Sequence, residues 1–402
     1  IKNDGTFKNS GTAYIEQFVN GENDSANSSL SNSGIFNTDT IINKGSILND
    51  KVGNATGSIV SNTINNEGSL TNKGTIESKN INNDGSGTIK NNAGANITVS
   101  NTLTNNGNIT NDGTLSVGIL NNNSGATIEG QGSLSISGVG TNNGKITQTI
   151  IDYTGSDYTN NDEIKAGTFN NGQGSFTNGA DGKLTIGGGT NAGSISGGSI
   201  YINGNYTNNG TLDIKNSDFS LGQGNILDGT GKLFLNGGSN KGDILQSELT
   251  IVTGSFENTG NVVADTIQND SQISNNGDIK ASIENSGTIS GAGNLTLAGG
   301  SNSGDIVQKG ITVSGNYTNN KTLTSTGTFK NTAEIQGGAN SELNIKNGEN
   351  SGSILQAIMK VSGNFTNTSN GKIIAEIANS GTLTNVGKIG DDTSAKDFTN
   401  NN

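Results

Sequence analysis

Hydrophobic positions recur along the chain about every six residues and are separated by Gly and Asn. The unit has the form G-x-[I/L/F/Y]-x-N-x and is seen in GSLTNKGTI (68–76), GNITNDGTL (107–115) and GTLTNVGKI (381–389). β-Branched and aromatic residues favour strands, whereas Gly and Asn enter left-handed turn conformations at the least cost. Each unit is therefore predicted to be a short strand that ends at a corner, with its hydrophobic residue pointing inward.

A second, longer repeat covers residues 132–402. Its copies begin with GSLSI, GKLTI, GKLFL, GNLTL and SELNI, and their starts lie 50, 49, 62 and 48 residues apart. The closely similar GNYTNNGTL (204–212) and GNYTNNKTL (315–323) occupy one fixed position of this repeat. The predicted organisation is one continuous solenoid, with less regular coils over residues 1–131 and five repeats over 132–181, 182–230, 231–292, 293–340 and 341–402.

Units this small can bury their hydrophobic residues only against neighbouring units, as in solenoid proteins. The sequence therefore predicts an all-β parallel β-helix whose coils stack about 4.8 Å apart. Stacked Asn side chains are expected to form hydrogen-bonded amide ladders between coils. The residues predicted to point inward from the repeats are Leu134, Ile146, Leu184, Ile195, Leu233, Ile244, Leu295, Ile306, Leu343 and Ile354.

The number of residues in each coil has two interpretations. One set of hydrophobic anchors has spacings of 17, 22, 17 and 19, which favours a three-sided coil: Ile64, Ile81, Leu103, Leu120 and Val139. Another set has spacings of 12, 12 and 11, which favours a two-sided coil: Leu134, Ile146, Tyr158 and Phe169. The three-sided coil is preferred because it is the commoner architecture of long secreted solenoids, and the two-sided coil remains the alternative.

Aromatic residues occupy one equivalent position in the long repeat. They are Tyr158, Tyr206, Phe256, Tyr317 and Phe365. The sequence predicts that they lie on one side of the solenoid, one in each repeat.

Runs such as LTNNGNITNDGTLSVGILNNNSGATIEGQGSLSISG (103–138) resemble the passenger repeats of filamentous-haemagglutinin-type exoproteins and autotransporter adhesins of Gram-negative bacteria. In those proteins L-x-N-x-G-x-I and G-x-L-x-L alternate. The resemblance covers most of the chain and rests on composition and period. It implies a right-handed β-helix, secretion to the cell surface, and a role in adhesion or biofilm formation.

Composition excludes several classes of protein. Only 28% of the residues are hydrophobic, and Pro, which cannot donate to a β-ladder, is absent. All 22 basic residues are Lys against 34 acidic residues, which gives a net charge of −12. Nucleic-acid-binding proteins present basic stripes and anionic membranes attract basic helices, so neither partner is expected.

Candidate chemistry is sparse. The densest acidic cluster comprises Asp152, Asp157, Asp162 and Glu163. Paired carboxylates can carry out acid–base catalysis, but a solvated row of charged corners is the preferred interpretation. Polysaccharide-cleaving β-helices generally use Arg, His or Trp, none of which occurs in this chain. No catalytic, cofactor-binding or metal-binding residue is predicted, and the chain is expected not to be an enzyme.

Three segments that contain Asp and Gly depart from the calcium-binding nonapeptide of β-rolls: NDGT (111–114), LDGTGK (227–232) and GDDT (390–393). Calcium at the surface would therefore be incidental. The paired glycines of LNGGSNKG and AGGSNSG are predicted to be corners, because neither segment has the Lys-Ser/Thr signature of a phosphate-binding loop. Outward positions mix Asn, Ser, Lys, Asp and Thr, so an ice-binding or polysaccharide-binding solenoid is a minor alternative.

These patterns predict a non-catalytic extracellular fibre segment, namely the stalk of a bacterial surface adhesin. The alternative is a self-assembling filament, sheath or biofilm-matrix subunit. The expected partners are neighbouring coils of a longer chain or identical subunits stacked end to end, since both ends of the sequence fall within the repeat pattern. Host-surface or matrix glycans are further candidate partners, and the bacterial cell surface is the expected location.

Overall fold

The computed structural model describes residues 1–23, 25–52, 55–214, 219–391 and 397–400. Within these ranges the chain consists of strands, turns and bends, and it contains no helix. The chain divides into two compact units, Ile1–Tyr206 and Thr207–Asn402. The prediction of an all-β parallel solenoid is confirmed.

The strands up to residue 202 are β1 Lys2–Asn3, β2 Thr6–Asn9, β3 Thr12–Asn20, β4 Ser29–Asn32, β5 Ile35–Asn43, β6 Ser46–Asn49, β7 Lys51–Val52, β8 Ala55–Thr56, β9 Ser58–Asn66, β10 Ser69–Asn72, β11 Thr75–Asn83, β12 Thr88–Asn91, β13 Asn96–Asn105, β14 Asn108–Asn111, β15 Thr114–Asn122, β16 Thr127–Glu129, β17 Ser133–Ile136, β18 Gly140–Asn142, β19 Lys145–Tyr153, β20 Asp157–Asn160, β21 Glu163–Asn171, β22 Ser175–Ile186, β23 Gly189–Asn191 and β24 Ser194–Ile202.

The remaining strands are β25 Tyr206–Asn208, β26 Thr211–Ile214, β27 Phe219–Leu221, β28 Ile226–Asp228, β29 Lys232–Leu235, β30 Gly238–Asn240, β31 Asp243–Ile251, β32 Ser255–Asn258, β33 Asn261–Asn269, β34 Gln272–Asn275, β35 Asp278–Asn285, β36 Thr288–Ser290, β37 Asn294–Asn302, β38 Asp305–Val313, β39 Tyr317–Asn319, β40 Thr322–Asn331, β41 Glu334–Gln336, β42 Glu342–Asn350, β43 Ser353–Val361, β44 Asn364–Asn367, β45 Lys372–Asn379, β46 Thr382–Asn385, β47 Lys388–Ile389 and β48 Phe398–Asn400.

Each coil of the first unit contributes one short strand segment to each of three faces, and segments on a face pair in parallel. Long strands such as β11 turn a corner in the middle and therefore supply two faces. Face A consists of residues 12–15, 35–38, 58–61, 75–78, 96–99, 114–117, 133–136, 150–153, 168–171 and 189–191. Face B consists of residues 2–3, 17–20, 40–43, 63–66, 80–83, 102–105, 119–122, 140–142, 157–160, 175–178 and 194–197. Face C consists of residues 6–9, 29–32, 46–49, 69–72, 88–91, 108–111, 127–129, 145–148, 163–166, 183–186 and 199–202.

The second unit has the same construction. Face D consists of residues 211–214, 232–235, 248–251, 266–269, 282–285, 299–302, 317–319, 334–336, 353–355, 372–374 and 388–389. Face E consists of residues 219–221, 238–240, 255–258, 272–275, 288–290, 305–308, 322–325, 342–345, 358–361, 376–379 and 398–400. Face F consists of residues 226–228, 243–246, 261–264, 278–281, 294–297, 310–313, 328–331, 347–350, 364–367 and 382–385.

Alternation along most four-residue segments places the second and fourth side chains in the core. In β11, Ile76 and Ser78 are buried on face A, and Ile81 and Asn83 are buried on face B. All ten residues that the repeats predicted to point inward are buried, with exposed fractions of 0–1%. Burying an aliphatic side chain of this size contributes about 1.5–3 kcal/mol relative to leaving it exposed, so these columns supply the hydrophobic core.

The three-sided coil is confirmed for the described strands, and the two-sided alternative is wrong. Ile64, Ile81, Leu103 and Leu120 pair in succession on face B, as a coil spacing requires. The fifth anchor was misplaced by one residue, because Gly140 pairs with Leu120 while Val139 is 43% exposed.

The 12-residue spacing is the distance between hydrophobic residues on every second strand segment. Leu134 lies on face A, Ile146 on face C and Tyr158 on face B. The segments between them present Gly140 and Ile151 to the core. A spacing of 12 therefore covers two faces of a coil, and the intervening Gly140 carries no side chain that sequence inspection could recognise as an anchor.

The long repeat is not a whole number of coils: the copies that start at Leu134 and Leu295 contain eight core positions, and the longer copy from Leu233 to Leu295 contains eleven. From Leu134 to Leu184 the successive positions are Gly140, Ile146, Ile151, Tyr158, Ile164, Phe169, Phe176 and Leu184. From Leu295 to Leu343 they are Gly300, Ile306, Ile311, Tyr317, Leu323, Phe329, Ile335 and Leu343. Because each coil has three faces, consecutive copies of the repeat start on different faces.

This mismatch overturns the prediction that the equivalent aromatic residues share one side. Phe256, Tyr317 and Phe365 lie on faces E, D and F respectively. Burial of the set is nevertheless uniform, since Phe256 is 0% exposed and the other two are 1% exposed. The aromatic residues are thus core residues distributed around the coil.

Candidate functional surface

An uninterrupted ladder of Asn side chains lies inside the corner that follows face B. Each Nδ2 donates to Oδ1 of the Asn one coil later over 2.7–2.8 Å. Its members are Asn3, Asn20, Asn43, Asn66, Asn83, Asn105, Asn122, Asn142, Asn160 and Asn178. The predicted Asn ladder is therefore confirmed.

The ladder amides also satisfy the backbone at the corners. Asn32, in a second ladder on face C, donates to Asn49 Oδ1 over 2.8 Å, to the Gly34 carbonyl over 3.1 Å and to the Ser58 carbonyl over 3.0 Å. A buried amide group is costly unless its hydrogen bonds are made. A coil that slipped by one residue would break several of these bonds at once, so the ladder fixes the register between coils.

In four places one coil lacks its ladder Asn, and a Gln in the next coil accepts the hydrogen bond from the Asn in the coil before. Asn111 donates to Gln148 Oε1 over 2.7 Å, although the two residues are 37 positions apart. In the intervening coil Glu129 pairs with Thr147, which places Gly130 beside Gln148. Gly130 has φ 135°, and a Cβ there would collide with the Asn111 backbone. The longer Gln side chain therefore reaches the amide that the missing Asn would have bound.

The second unit repeats this arrangement three times. The donor–acceptor pairs are Asn208 with Gln246 at 2.7 Å, Asn275 with Gln308 at 2.8 Å, and Asn319 with Gln356 at 2.8 Å. Sequence reasoning missed these glutamines. The available signal was the recurrence of Gln two residues after the repeat isoleucines Ile146, Ile244, Ile306 and Ile354.

Paired glycines in LNGGSNKG and AGGSNSG accommodate aromatic rings. Gly238 begins β30 and pairs with Phe256, and Gly300 lies within β37 and pairs with Tyr317. The prediction that these glycines are corners is therefore wrong for Gly238 and Gly300. A Cβ at Gly238 or Gly300 would collide with the backbone of Phe219 or Ile283 in the preceding coil, and both glycines have positive φ, 121° and 105°.

The acidic residues that are close in sequence lie on different faces of the coil. Asp152 lies on face A, Asp157 on face B and Glu163 on face C. Asp152 accepts a hydrogen bond from Asn170 over 2.7 Å. The Lys165 ammonium donates to Glu163 at 2.8 Å and lowers the pKa of that carboxyl. Asp162 directly precedes Glu163, and the structure does not gather the four carboxylates into one acid–base site.

In two of the three segments that contain Asp and Gly, the residues take part in hydrogen bonds or strand pairing between coils. In NDGT, Asn111 belongs to the ladder and Asp112 Oδ1 accepts from the Gln131 backbone N–H over 3.1 Å. In LDGTGK, Gly229 occupies the coil that Gln246 spans. In GDDT, residues 392 and 393 lie outside the described residues. Across the described part of the chain no three or more acidic residues form a group able to hold a metal ion.

Charged side chains on the outer surface pair between adjacent coils. Lys232 contacts Glu248 at 2.7 Å, and Lys321 contacts Asp305 at 2.9 Å. Such exposed pairs contribute about 0–1 kcal/mol each. The outer depressions are open to solvent; one is lined by Thr324, Asn344 and Lys360 among other residues. These surfaces present hydroxyl, amide and ammonium groups to solvent.

Four buried tyrosine hydroxyls contact no hydrogen-bonding protein atom: those of Tyr153, Tyr158, Tyr206 and Tyr317. Burial raises the pKa of each phenol, and that of Tyr153 rises to about 12. A phenol with a raised pKa stays neutral at physiological pH. These groups therefore act as aromatic core side chains.

No family model, curated protein or solved structure matches this chain. Within the residues that the structure describes, no helix is long and apolar enough to cross a membrane.

Proposed function

We propose that this chain is a non-catalytic structural segment of an extracellular fibre, namely the stalk of a bacterial surface adhesin. The observation that carries the proposal is the face B ladder, in which ten Asn side chains form nine consecutive hydrogen bonds of 2.7–2.8 Å. A stalk must hold its length under tension, and a ladder that couples every coil to the next resists local slippage.

The dispersal of the acidic cluster over faces A, B and C supports a structural role. A catalytic site needs an acid and a base within reach of the same substrate atom. The sequence resemblance to secreted exoproteins and adhesin passengers points to the cell surface, with neighbouring coils as the immediate partners and surface or matrix glycans as candidates beyond them.

Surface labelling and single-molecule force spectroscopy test the two parts of this proposal. An antibody against the chain should label intact cells of the source organism, and added protease should remove the label. Pulling the chain from its two ends should give stepwise unfolding at forces that fall when Asn83 is replaced by Ala. Label that appears only after cell lysis would refute the surface location, and unfolding forces equal to those of a disordered chain would refute the stalk.

A further inference from the structure

Eleven Asn-Gly dipeptides occur in the chain, and the coil places them in different chemical environments. In segments of the form T-N-N-G the first Asn belongs to the ladder and the second lies at the corner, directly before Gly. Asn106-Gly107 and Asn143-Gly144 are of this type, after ladder residues Asn105 and Asn142. The corner Asn is therefore the one whose side chain can react with the backbone of a glycine.

The side-chain carbonyls of Asn106 and Asn143 accept hydrogen bonds from the following coil. Asn123 Nδ2 donates to Asn106 Oδ1 over 2.6 Å, and Asn161 Nδ2 donates to Asn143 Oδ1 over 2.8 Å. A donor at a carbonyl oxygen stabilises the negative charge that develops when the carbon is attacked. The Cγ of each corner Asn is thereby made more electrophilic.

The adjacent nucleophile, the glycine nitrogen, is not held by a hydrogen bond within the described part of the chain. The backbone N–H groups of Gly107 and Gly144 donate no hydrogen bond to a described residue, and neither glycine carries a Cβ that would block the approach. At other Asn-Gly pairs this nitrogen is engaged: Gly277 N donates to the Asn258 carbonyl over 3.1 Å, and Gly371 N donates to the Thr368 carbonyl over 2.9 Å.

We propose that Asn106 and Asn143 are sites of intramolecular deamidation promoted by the neighbouring coil. The glycine nitrogen attacks Cγ, its proton passes to water, and Nδ2 leaves as ammonia, which gives a five-membered cyclic imide. Water then adds to one imide carbonyl and opens the ring to Asp or to isoaspartate. No oxidation or reduction takes place, and each event adds one negative charge at the corner that follows face B.

The fold already accepts the product at equivalent outer positions. Asp112 directly follows ladder residue Asn111 and accepts from the Gln131 backbone N–H over 3.1 Å. Asp270 directly follows ladder residue Asn269 and accepts from the Ser286 hydroxyl over 3.0 Å. An Asp at position 106 keeps the acceptor that Asn123 binds. Conversion to Asp therefore leaves the internal ladder intact, whereas deamidation within the ladder would place a charge in the core.

Peptide mapping by mass spectrometry of the full chain, incubated folded at neutral pH, tests the proposal. Asn276 Oδ1 also accepts from the following coil, from the Ala292 N–H over 3.0 Å, but the nitrogen of Gly277 is engaged. Asn106 and Asn143 should therefore deamidate about tenfold faster than Asn276, the factor that a single hydrogen bond is worth. Ladder residues Asn20 and Asn178, which also precede Gly, should remain unconverted. In urea the differences among these five sites should disappear, since the fold creates them.

Two variants show whether the hydrogen bond from the neighbouring coil, rather than exposure of the Asn side chain to solvent, raises the deamidation rate. Asn123→Ala should slow conversion of Asn106 and leave Asn143 unchanged, and Asn161→Ala should do the reverse. Equal folded-state rates at Asn106, Asn143 and Asn276 would overturn the proposal. So would a rate order that persists in urea, or variants that leave both rates unaltered.

Discussion

Asn111 and Gln148 are joined by a buried hydrogen bond of 2.7 Å across 37 residues, from the Asn Nδ2 to the Gln Oε1. The bond spans a coil that contributes Gly130 where a ladder Asn would otherwise stand. The ladder that fixes the register can therefore continue past a coil without its Asn, provided that the next coil supplies the longer Gln side chain.

Replacing Gln148 with Ala is expected to lower the free energy of unfolding by about 1–3 kcal/mol, because the Asn111 amide loses a buried acceptor. Gln148→Asn should cost a similar amount, since the shorter side chain cannot span the coil. Thr147→Ala, which removes an exposed neighbour, is the matched control and should change stability by less than about 0.5 kcal/mol. Urea unfolding measures all three, and a Gln148→Ala loss no larger than the control would contradict this role.

Asn82 and Asn83 offer a direct comparison of an outer and an inner amide. Asn83 accepts from Asn66 over 2.7 Å and donates to Asn105 over 2.8 Å inside the core, whereas the exposed Asn82 donates to Asn65. Asn83→Ala should destabilise the protein by about 1–3 kcal/mol, because the Asn105 carbonyl loses its ladder donor and the Asn66 amide loses its shortest hydrogen bond. Asn82→Ala should cost less than about 0.5 kcal/mol. Equal losses in thermal unfolding would show that the ladder does not stabilise the coil.

Gly300→Ala tests the requirement for glycine beside Tyr317. The backbone φ is 105°, and an added Cβ would collide with the backbone of Ile283. Gly94→Ala is the control, since φ is 77° there but nothing lies near the added Cβ. Left-handed backbone costs an L-residue about 1–2 kcal/mol at either position, and overpacking adds about 1–3 kcal/mol at Gly300 alone. A comparable loss of unfolding free energy for the two variants would remove the steric explanation.

Alkaline pH should destabilise the first unit through Tyr153. Burial raises the pKa of this phenol from 10.0 to about 12, so the folded state holds the proton more tightly than the unfolded state. Its contribution is fully present below the unfolded pKa and is lost as pH rises from about 10 to about 12. Tyr153→Phe should make stability fall less steeply over this range, by about 1.4 kcal/mol per pH unit. Parallel unfolding curves for the two proteins across that range would count against the raised pKa.

Much of the fold could be predicted from the sequence because each strand segment has the same local pattern of inward and outward residues. Leu134, Leu233 and Ile354 were placed inward by their fixed position in the repeats, and all three are fully buried. The Asn ladder followed from the same reasoning, since side chains of one type at one position must stack when coils stack. Both features depend on local spacing, which a sequence displays directly.

Features that depend on counting strand segments could not be predicted in the same way. Gly140 and Gly300 occupy core positions without a hydrophobic side chain. A count of hydrophobic residues along the sequence therefore gives fewer strand segments than the coil contains. The same difficulty concealed Gln148, whose partner lies two coils away. The distribution of Asp152, Asp157 and Glu163 over three faces likewise follows only from the coil geometry.

The number of strand segments in the repeat, eight or eleven, determines the directions in which its copies point. In the second unit Phe256, Tyr317 and Phe365 occupy three faces in turn, so the outward residues beside them also point in three directions. A repeat of nine segments would have placed every copy on the same face of the coil. Neither eight nor eleven is a multiple of three, so the outward residues of successive copies in this unit are displayed on different faces.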